Sequence, residues 1–235
     1  MSIDDLRRRL ATLTTAHLAD ACLRAGVPVR CGPAALRPVV PGGQLFGPVV
    51  PARHVGSVDV FLEAIDGAAP GDVLVVDNGG RVDESCVGDL VVLEAAAAGL
   101  AGVVIWGLHR DTVDIRAVGL PVFSLGAIPT GPRRLDPRPA SALTSATVGE
   151  WTLDAGDLAV ADDDGVLFLP AGRAGELFQA AESIRATERR QAERIRAGVP
   201  LREQVGFAAF LAARTDDPAL TFREHLRSVG GAIEE

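Results

Sequence analysis

The sequence of 235 residues predicts an α/β fold that contains parallel βαβ units. Three observations carry that expectation. The stretch "PGDVLVVDNGG" sets a wholly apolar run, Val73 to Val76, between a Pro-Gly turn and a Gly-Gly stop, as in a strand buried on both faces. A second such run, Gly102 to Trp106, follows, and between the two lies "VGDLVVLEAAAA", residues 87–98, an Ala-rich segment of helical character. Strand, helix and strand joined by short connections form a βαβ unit, so the two strands should be parallel. The alternation then repeats, with a short helix from Thr112 to Ala117 and a strand over Pro121–Ser124.

The other elements follow in chain order. Residues 4–25 place Leu6, Leu10, Leu13, Leu18, Ala21 and Leu23 at helical spacing and stop at Gly26, with Thr14 or Thr15 placed to cap a second helix. Residues 32–51 are rich in Pro and Gly and read as short extended pieces, Gln44–Phe46 and Pro48–Val50. Residues 59–66 read as a helix. Residues 126–150 read as loop, with Pro129, Pro132, Pro137 and Pro139. "DAGDLAVADDDGVLFLP" reads as a hairpin turning at Asp162–Gly165 and stopped by Pro170, and that turn explains its acidic run better than a calcium loop does. From Ala174 to Ala197 runs a long helix whose interspersed Glu and Arg suit a solvated face. The tail, 200–235, carries two further helical patterns.

Charge and composition exclude several functions. A net charge of −8 argues against a nucleic-acid partner held by a basic field. No apolar run reaches 18 residues, so no membrane span is expected, and Met1–Asp5 lacks the order of a signal peptide. Cys22, Cys31 and Cys86 are an odd count at unhelpful spacings and read as reduced thiols of a cytoplasmic protein. All 23 basic residues are Arg. Without Lys, no side chain can form a Schiff base with a carbonyl substrate or with pyridoxal phosphate, and a Walker-type nucleotide site is excluded. Carbonyl chemistry here needs a metal ion or another electrophile.

Ligands of open α/β sheets bind beyond the carboxyl ends of the parallel strands. One strand here ends at Asp77-Asn78, and the next apolar run gives way to His109-Arg110-Asp111. Between them a helix begins near Gly88-Asp89-Leu90, and its first turn offers free N–H groups to a carboxylate. Gly88 permits close approach, Arg110 offers a fork of donors, Asp111 is a hard oxygen ligand for Mg²⁺ or Mn²⁺, and Asp89 can hold a metal-bound water. The alternative reading makes Arg110 and Asp111 a surface ion pair, Asp111 the cap of the following helix, and Asp89 a charge complementing a helix dipole. His109 is a further candidate, as a general base. His17, His54 and His225 read as structural, and Ser85-Cys86 lacks the pattern of a nucleophile elbow.

Asp89, twenty intervening residues and Arg110-Asp111 resemble the D-x20-R-D signature of the class II 4-hydroxy-4-methyl-2-oxoglutarate aldolases, which group with the regulators of ribonuclease activity A. The resemblance extends to "GDVLVVD" at 71–77, "GDL" at 88–90, "GLAGVVIWGLHRD" at 99–111, "GLPVF" at 119–123 and "GDLAVADDDGVLFLP" at 156–170, and covers roughly residues 10–195. It implies an α-β-β-α sandwich of the swivelling β/β/α-domain type over residues 1–198, followed by a C-terminal helical extension over 199–235. It also implies a substrate-binding segment at Gly88, Asp89, Leu90 and Val91, a substrate arginine at Arg110 and a divalent-metal ligand at Asp111. Catalytic roles then fall to Arg110 and Asp89, on a small 2-oxo acid, with Mg²⁺ or Mn²⁺ as cofactor and a homotrimer or homohexamer as the assembly. The activity implied is retro-aldol cleavage of a 4-hydroxy-2-oxo acid with release of pyruvate, and decarboxylation of oxaloacetate beside it. The alternatives are a non-catalytic inhibitor of a ribonuclease, and a biosynthetic lyase or isomerase using the same enolate chemistry. Trp106 and His109 are bulkier than this family's usual residues before Arg-Asp, and are expected to line the pocket.

Overall fold

The computed structural model describes residues 1–229. In chain order it contains α1 (Ile3–Leu10), α2 (Thr15–Arg24), β1 (Arg30–Cys31), β2 (Arg37–Pro38), β3 (Leu45–Arg53), α3 (Asp59–Asp66), β4 (Val73–Asp77), β5 (Ser85–Val87), α4 (Asp89–Ala97), β6 (Gly102–Trp106), β7 (Leu108–His109), α5 (Thr112–Val118), β8 (Val122–Ser124), β9 (Ala146–Val148), β10 (Trp151–Leu153), β11 (Asp157–Asp162), β12 (Gly165–Pro170), α6 (Ala174–Arg196), α7 (Leu201–Gln204), α8 (Phe207–Asp216) and α9 (Phe222–Val229). The chain divides into two compact units, one of Met1–Thr15 with Val29–Gly175, the other of Ala16–Pro28 with the chain from Glu176 on.

The first unit is a mixed α/β fold on a curled sheet ordered β1-β12-β11-β3-β4-β6-β8-β2. The expected βαβ unit is present: β4 runs parallel to β6 in register Val73↔Gly102 to Asp77↔Trp106, with α4 between them. Alternation along the strands sends Leu74, Val76, Val103 and Ile105 to one face, where Val60, Phe61 and Ile65 of α3, Val92 of α4 and Ile115 of α5 cover them. Val73, Val75, Val104 and Phe123 point to the other face and meet Ala159, Ala161, Val166 and Phe168 of the β11–β12 hairpin. Helices, parallel strands and antiparallel strands thus form α-β-β layers, and each fully buried Phe stabilises them by roughly 1.5–3 kcal/mol.

Several elements differ from the sequence reading. Residues 45–53 form one nine-residue strand, β3, despite Pro48 and Pro51. Its first half pairs antiparallel with β11, through Pro48, and its second half parallel with β4, from Val49. Each half therefore keeps one unpaired edge, where a proline's missing N–H costs least. The helix expected over 87–98 begins at Asp89, because Ser85–Val87 is strand. The loop-rich segment ends in a small hairpin, β9 with β10, turned by Gly149 at φ 63°. Gly79 and Gly80 end β4 with φ of 65° and 67°, a conformation glycine adopts at little cost.

The hairpin turn at Asp162–Asp164 is as expected, and two of its three carboxylates are occupied: Asp162 accepts from the N–H of Asp164 at 3.0 Å, and Asp163 from that of Gly42 at 2.7 Å. The second unit holds α2, α6 and, in place of two helices, three after α6. Phe207, Phe210, Phe222 and His225 cluster there, with ring centroids 5.0–5.9 Å apart. The last residues of the expected extension, 230–235, lie outside the described residues. Among those described, no helix is long and apolar enough to cross a membrane.

Candidate active site

Two short strands outside the main sheet bring the sequence-predicted residues together. β5 and β7 pair in parallel, Ser85↔Leu108 and Val87↔His109, with a bulge between the rungs, and the N–H of Arg110 donates to Val87 O at 3.0 Å. The residues that follow each strand, Gly88-Asp89 and Arg110-Asp111, are thereby set side by side. The second edge of β7 is held by the loop after β8, through His109 N to Gly126 O and Ile128 N to His109 O, both 3.0 Å.

Gly88 is the N-cap of α4 and makes no side-chain cap bond, so the first N–H groups of that helix remain available. A Cβ at position 88 would stand 2.5 Å from Asp111 Oδ2 and 3.4 Å from Arg110 Nε, so only glycine leaves room for the acidic side chain. Asp111 does occupy the N-cap position of α5, but it makes no capping hydrogen bond and sits at φ 60°, the one non-glycine residue with positive φ among the described residues. Its Oδ2 lies 3.3 Å from Arg110 Nε instead. A backbone strained to this degree, with a carboxylate turned away from the helix it precedes, weighs against the capping alternative.

A cavity of about 260 Å³ is lined by Gly88, Asp89, Leu90, Val91, Arg110 and Asp111, together with His54, Cys86 and Pro132. All six residues singled out in the sequence border it. It offers an anion the start of α4 and one guanidinium, and it offers a cation two carboxylates. Among the described residues no three of His, Cys, Asp and Glu cluster as a self-contained metal cage.

The profile of the RraA-like family (Aldolase/RraA) matches residues 15–168. The chain belongs to this family. It is 30% identical over 155 residues to a Halalkalibacterium halodurans protein named "Putative 4-hydroxy-4-methyl-2-oxoglutarate aldolase", covering 65% of this chain and 72% of that one. It is 29% identical over 211 residues to Protein DlpA of Legionella pneumophila, covering 86% of this chain but spanning only 33% of DlpA's length. Among solved structures, Streptomyces coelicolor RraAS2, described as an unusual member of the RNase ES inhibitor RraA family, superposes with a TM-score of 0.69 at 28% identity, over 79% of this chain and 94% of that one. The curled-sheet α/β fold is thus that of the RraA-like structures, and this chain carries C-terminal helices besides.

Two expectations about this RraA-like chain need correction. Neither Trp106 nor His109 lines the cavity. Trp106 lies against Gly80, where a Cβ would stand 2.7 Å from its ring. His109 is buried, with Nδ1 bonded to Ser124 Oγ at 2.7 Å and Nε2 to Thr112 Oγ1 at 2.9 Å, so both ring nitrogens are committed and burial lowers its pKa. It ties β7 to α5 and β8, as a structural residue does. His17 bonds Glu188 at 3.0 Å and His225 bonds Val205 O at 2.8 Å, as structural residues do.

The sequence reading missed a buried polar group beside the cavity. Glu84, fully buried, accepts from the N–H of Arg133 at 2.8 Å and from Arg134 Nε at 3.1 Å. Arg134 also donates to Asn78 Oδ1 at 3.0 Å, which in turn accepts from His54 Nδ1 at 2.9 Å. The only hint in the sequence was an acidic residue set directly before the apolar "SCV".

Proposed function

We propose that the chain is a divalent-metal-dependent lyase that cleaves a 4-hydroxy-2-oxo acid by retro-aldol chemistry, releases pyruvate, and decarboxylates oxaloacetate through the same enolate. The observation that carries this reading is the meeting of a free helix N-terminus, one guanidinium and two carboxylates in a single cavity. Mg²⁺ or Mn²⁺ fits this donor set, because such ions take one or two protein carboxylates and fill their remaining positions with water and substrate oxygens. Asp111 would hold the ion and Asp89 one of its waters. Bound there, the ion supplies a Lewis acid for charge developing on the keto oxygen.

The chain's own residues do the rest. The first N–H groups of α4, at Asp89, Leu90 and Val91, receive the substrate carboxylate. Arg110 grips the keto oxygen. Asp89 orients the water that takes the proton from the C4 hydroxyl. The C3–C4 electron pair passes to C3, the C4 fragment leaves as a carbonyl compound, and the remaining pyruvate enolate takes a proton at C3. Oxaloacetate reaches the same enolate by losing CO₂. The absence of Lys supports an enolate over a Schiff-base route.

A homotrimer, or a pair of trimers, is part of this proposal. Leu90, Leu93 and Val113, on α4 and α5 beside the cavity, are 53–77% exposed and are the kind of apolar surface a second copy covers. The free thiols of Cys31 and Cys86 suit the reducing cytoplasm. The likeness to RraAS2 favours a second reading, inhibition of a ribonuclease through the surface.

Incubation of the purified protein with Mg²⁺ and a panel of 4-hydroxy-2-oxo acids, with pyruvate release as readout, separates the two. Turnover should vanish in EDTA, return with Mg²⁺ or Mn²⁺, and survive borohydride plus pyruvate. No pyruvate from any substrate, or activity that persists after thorough chelation, would sink the metal-lyase reading. Gly88→Ala should keep the fold yet lower kcat/KM by about 10²-fold, since its methyl group displaces Asp111 by roughly an ångström. An unchanged kcat/KM would show that the position of that carboxylate is immaterial.

A further inference from the structure

His54 borders a second cavity as well, of about 440 Å³, whose walls include Arg53, Asp77, Asn78, Arg81 and Arg134. Its volume lies in the range of small-molecule sites. Most of its charges are already answered. Asp77 accepts from the N–H groups of Gly79 at 2.8 Å and Thr147 at 3.0 Å. Arg81 pairs with Asp83 at 2.6 Å and with Glu84 at 3.3 Å, and Arg134 pairs with Glu84 and with Asp136, itself a wall residue. Arg53 is exposed and makes no side-chain hydrogen bond or ion pair among the described residues, so its guanidinium is left without an ionic partner.

Its walls also hold polar atoms without partners. Two buried side-chain atoms of its lining residues lack a partner among the described residues, His54 Nε2 and Asn78 Nδ2. The bonding around Asn78 fixes their character. Arg134 can only donate, so the Asn78 atom it meets is the oxygen, and His54 Nδ1 must then donate to that same oxygen. Burial holds His54 neutral, which leaves Nε2 a bare lone pair. Asn78 Nδ2 is a donor. Buried polar groups in native proteins are rarely left unpaired, and two at one cavity mark a polar occupant.

We propose that this cavity binds a small 2-hydroxy carboxylate, its anionic group on Arg53 and the Asn78 amide, its hydroxyl donating to His54 Nε2. The carboxylate answers the unpaired guanidinium and the one free donor, and the hydroxyl answers the one acceptor. Among the residues this site uses, only His54 also borders the proposed catalytic cavity, so the assignment stands apart from the lyase reading.

Calorimetric titration of lactate, propionate and inorganic phosphate into Arg110→Gln protein tests it, because that variant lacks the guanidinium of the catalytic cavity. Lactate should bind at least about tenfold more tightly than propionate, which lacks only the hydroxyl. Arg53→Gln, a change at an exposed position, should weaken lactate binding about tenfold or more. His54→Phe should erase the preference for lactate over propionate. Equal affinity for lactate and propionate, tighter binding of phosphate than of lactate, or unaltered binding by Arg53→Gln would each overturn the proposal.

Discussion

Asp111→Asn should leave the protein folded and lower metal-dependent turnover about 10³-fold or more, a loss of roughly 4 kcal/mol of transition-state stabilisation. Asparagine is the apt replacement, because it tolerates the left-handed backbone at φ 60° while removing the charge that would hold the ion. Asp111→Ala should abolish turnover equally but adds strain of its own. The Asp111 side chain is 37% exposed and, among the described residues, its one ion pair is with Arg110, so the thermal midpoint should move little. Pyruvate release at the wild-type rate with saturating Mg²⁺ would remove Asp111 from the mechanism.

Arg110→Lys should lower kcat/KM by about 10²–10³-fold with the fold intact. An ammonium keeps the charge but cannot make a forked contact to neighbouring oxygens. The position is poorly suited to a purely structural role, since its side chain is 47% exposed and, among the described residues, its only ion pair is to the adjacent residue. Steady-state kinetics with a 4-hydroxy-2-oxo acid and with oxaloacetate decide the matter. Parallel losses on both substrates fit a group that faces the common enolate, whereas an unchanged kcat/KM would reduce Arg110 to a surface partner of Asp111.

Much of this molecule was legible before its structure because the central elements carry strong periodic signals. The apolar runs at β4 and β6, the helix between them and the β11–β12 hairpin all declare their type locally, and parallel pairing follows from the short connections. The elements that were not legible are those too short for any period, β1, β2, β5 and β7, each of two or three residues. Pro48 and Pro51 argued against a continuous β3, and only the exchange of partners halfway along it resolves the conflict. The site divides in the same way. Asp89, Arg110 and Asp111 stood out because polar groups interrupt apolar runs at strand and helix ends. His54, Asn78, Glu84 and Arg134 did not, because their contacts span 24 to 56 residues and no local pattern records them. His109 misled for the converse reason: it adjoins Arg110 in the chain, yet its ring bonds Ser124 and Thr112.

The two halves of the candidate active site are joined by two rungs of β5–β7 pairing and one further hydrogen bond, outside the eight-stranded sheet. Yet the ladder is no weak seam: Cys86 and Val87 of β5 and Val91 of α4 lie in the core of the helical face, and α4 and α5 cover that same core through Val92 and Ile115. Competence and foldedness are therefore one property of this chain. Parting Asp89 from Asp111 means opening that core, so loss of turnover on warming should follow the melting curve, not run ahead of it.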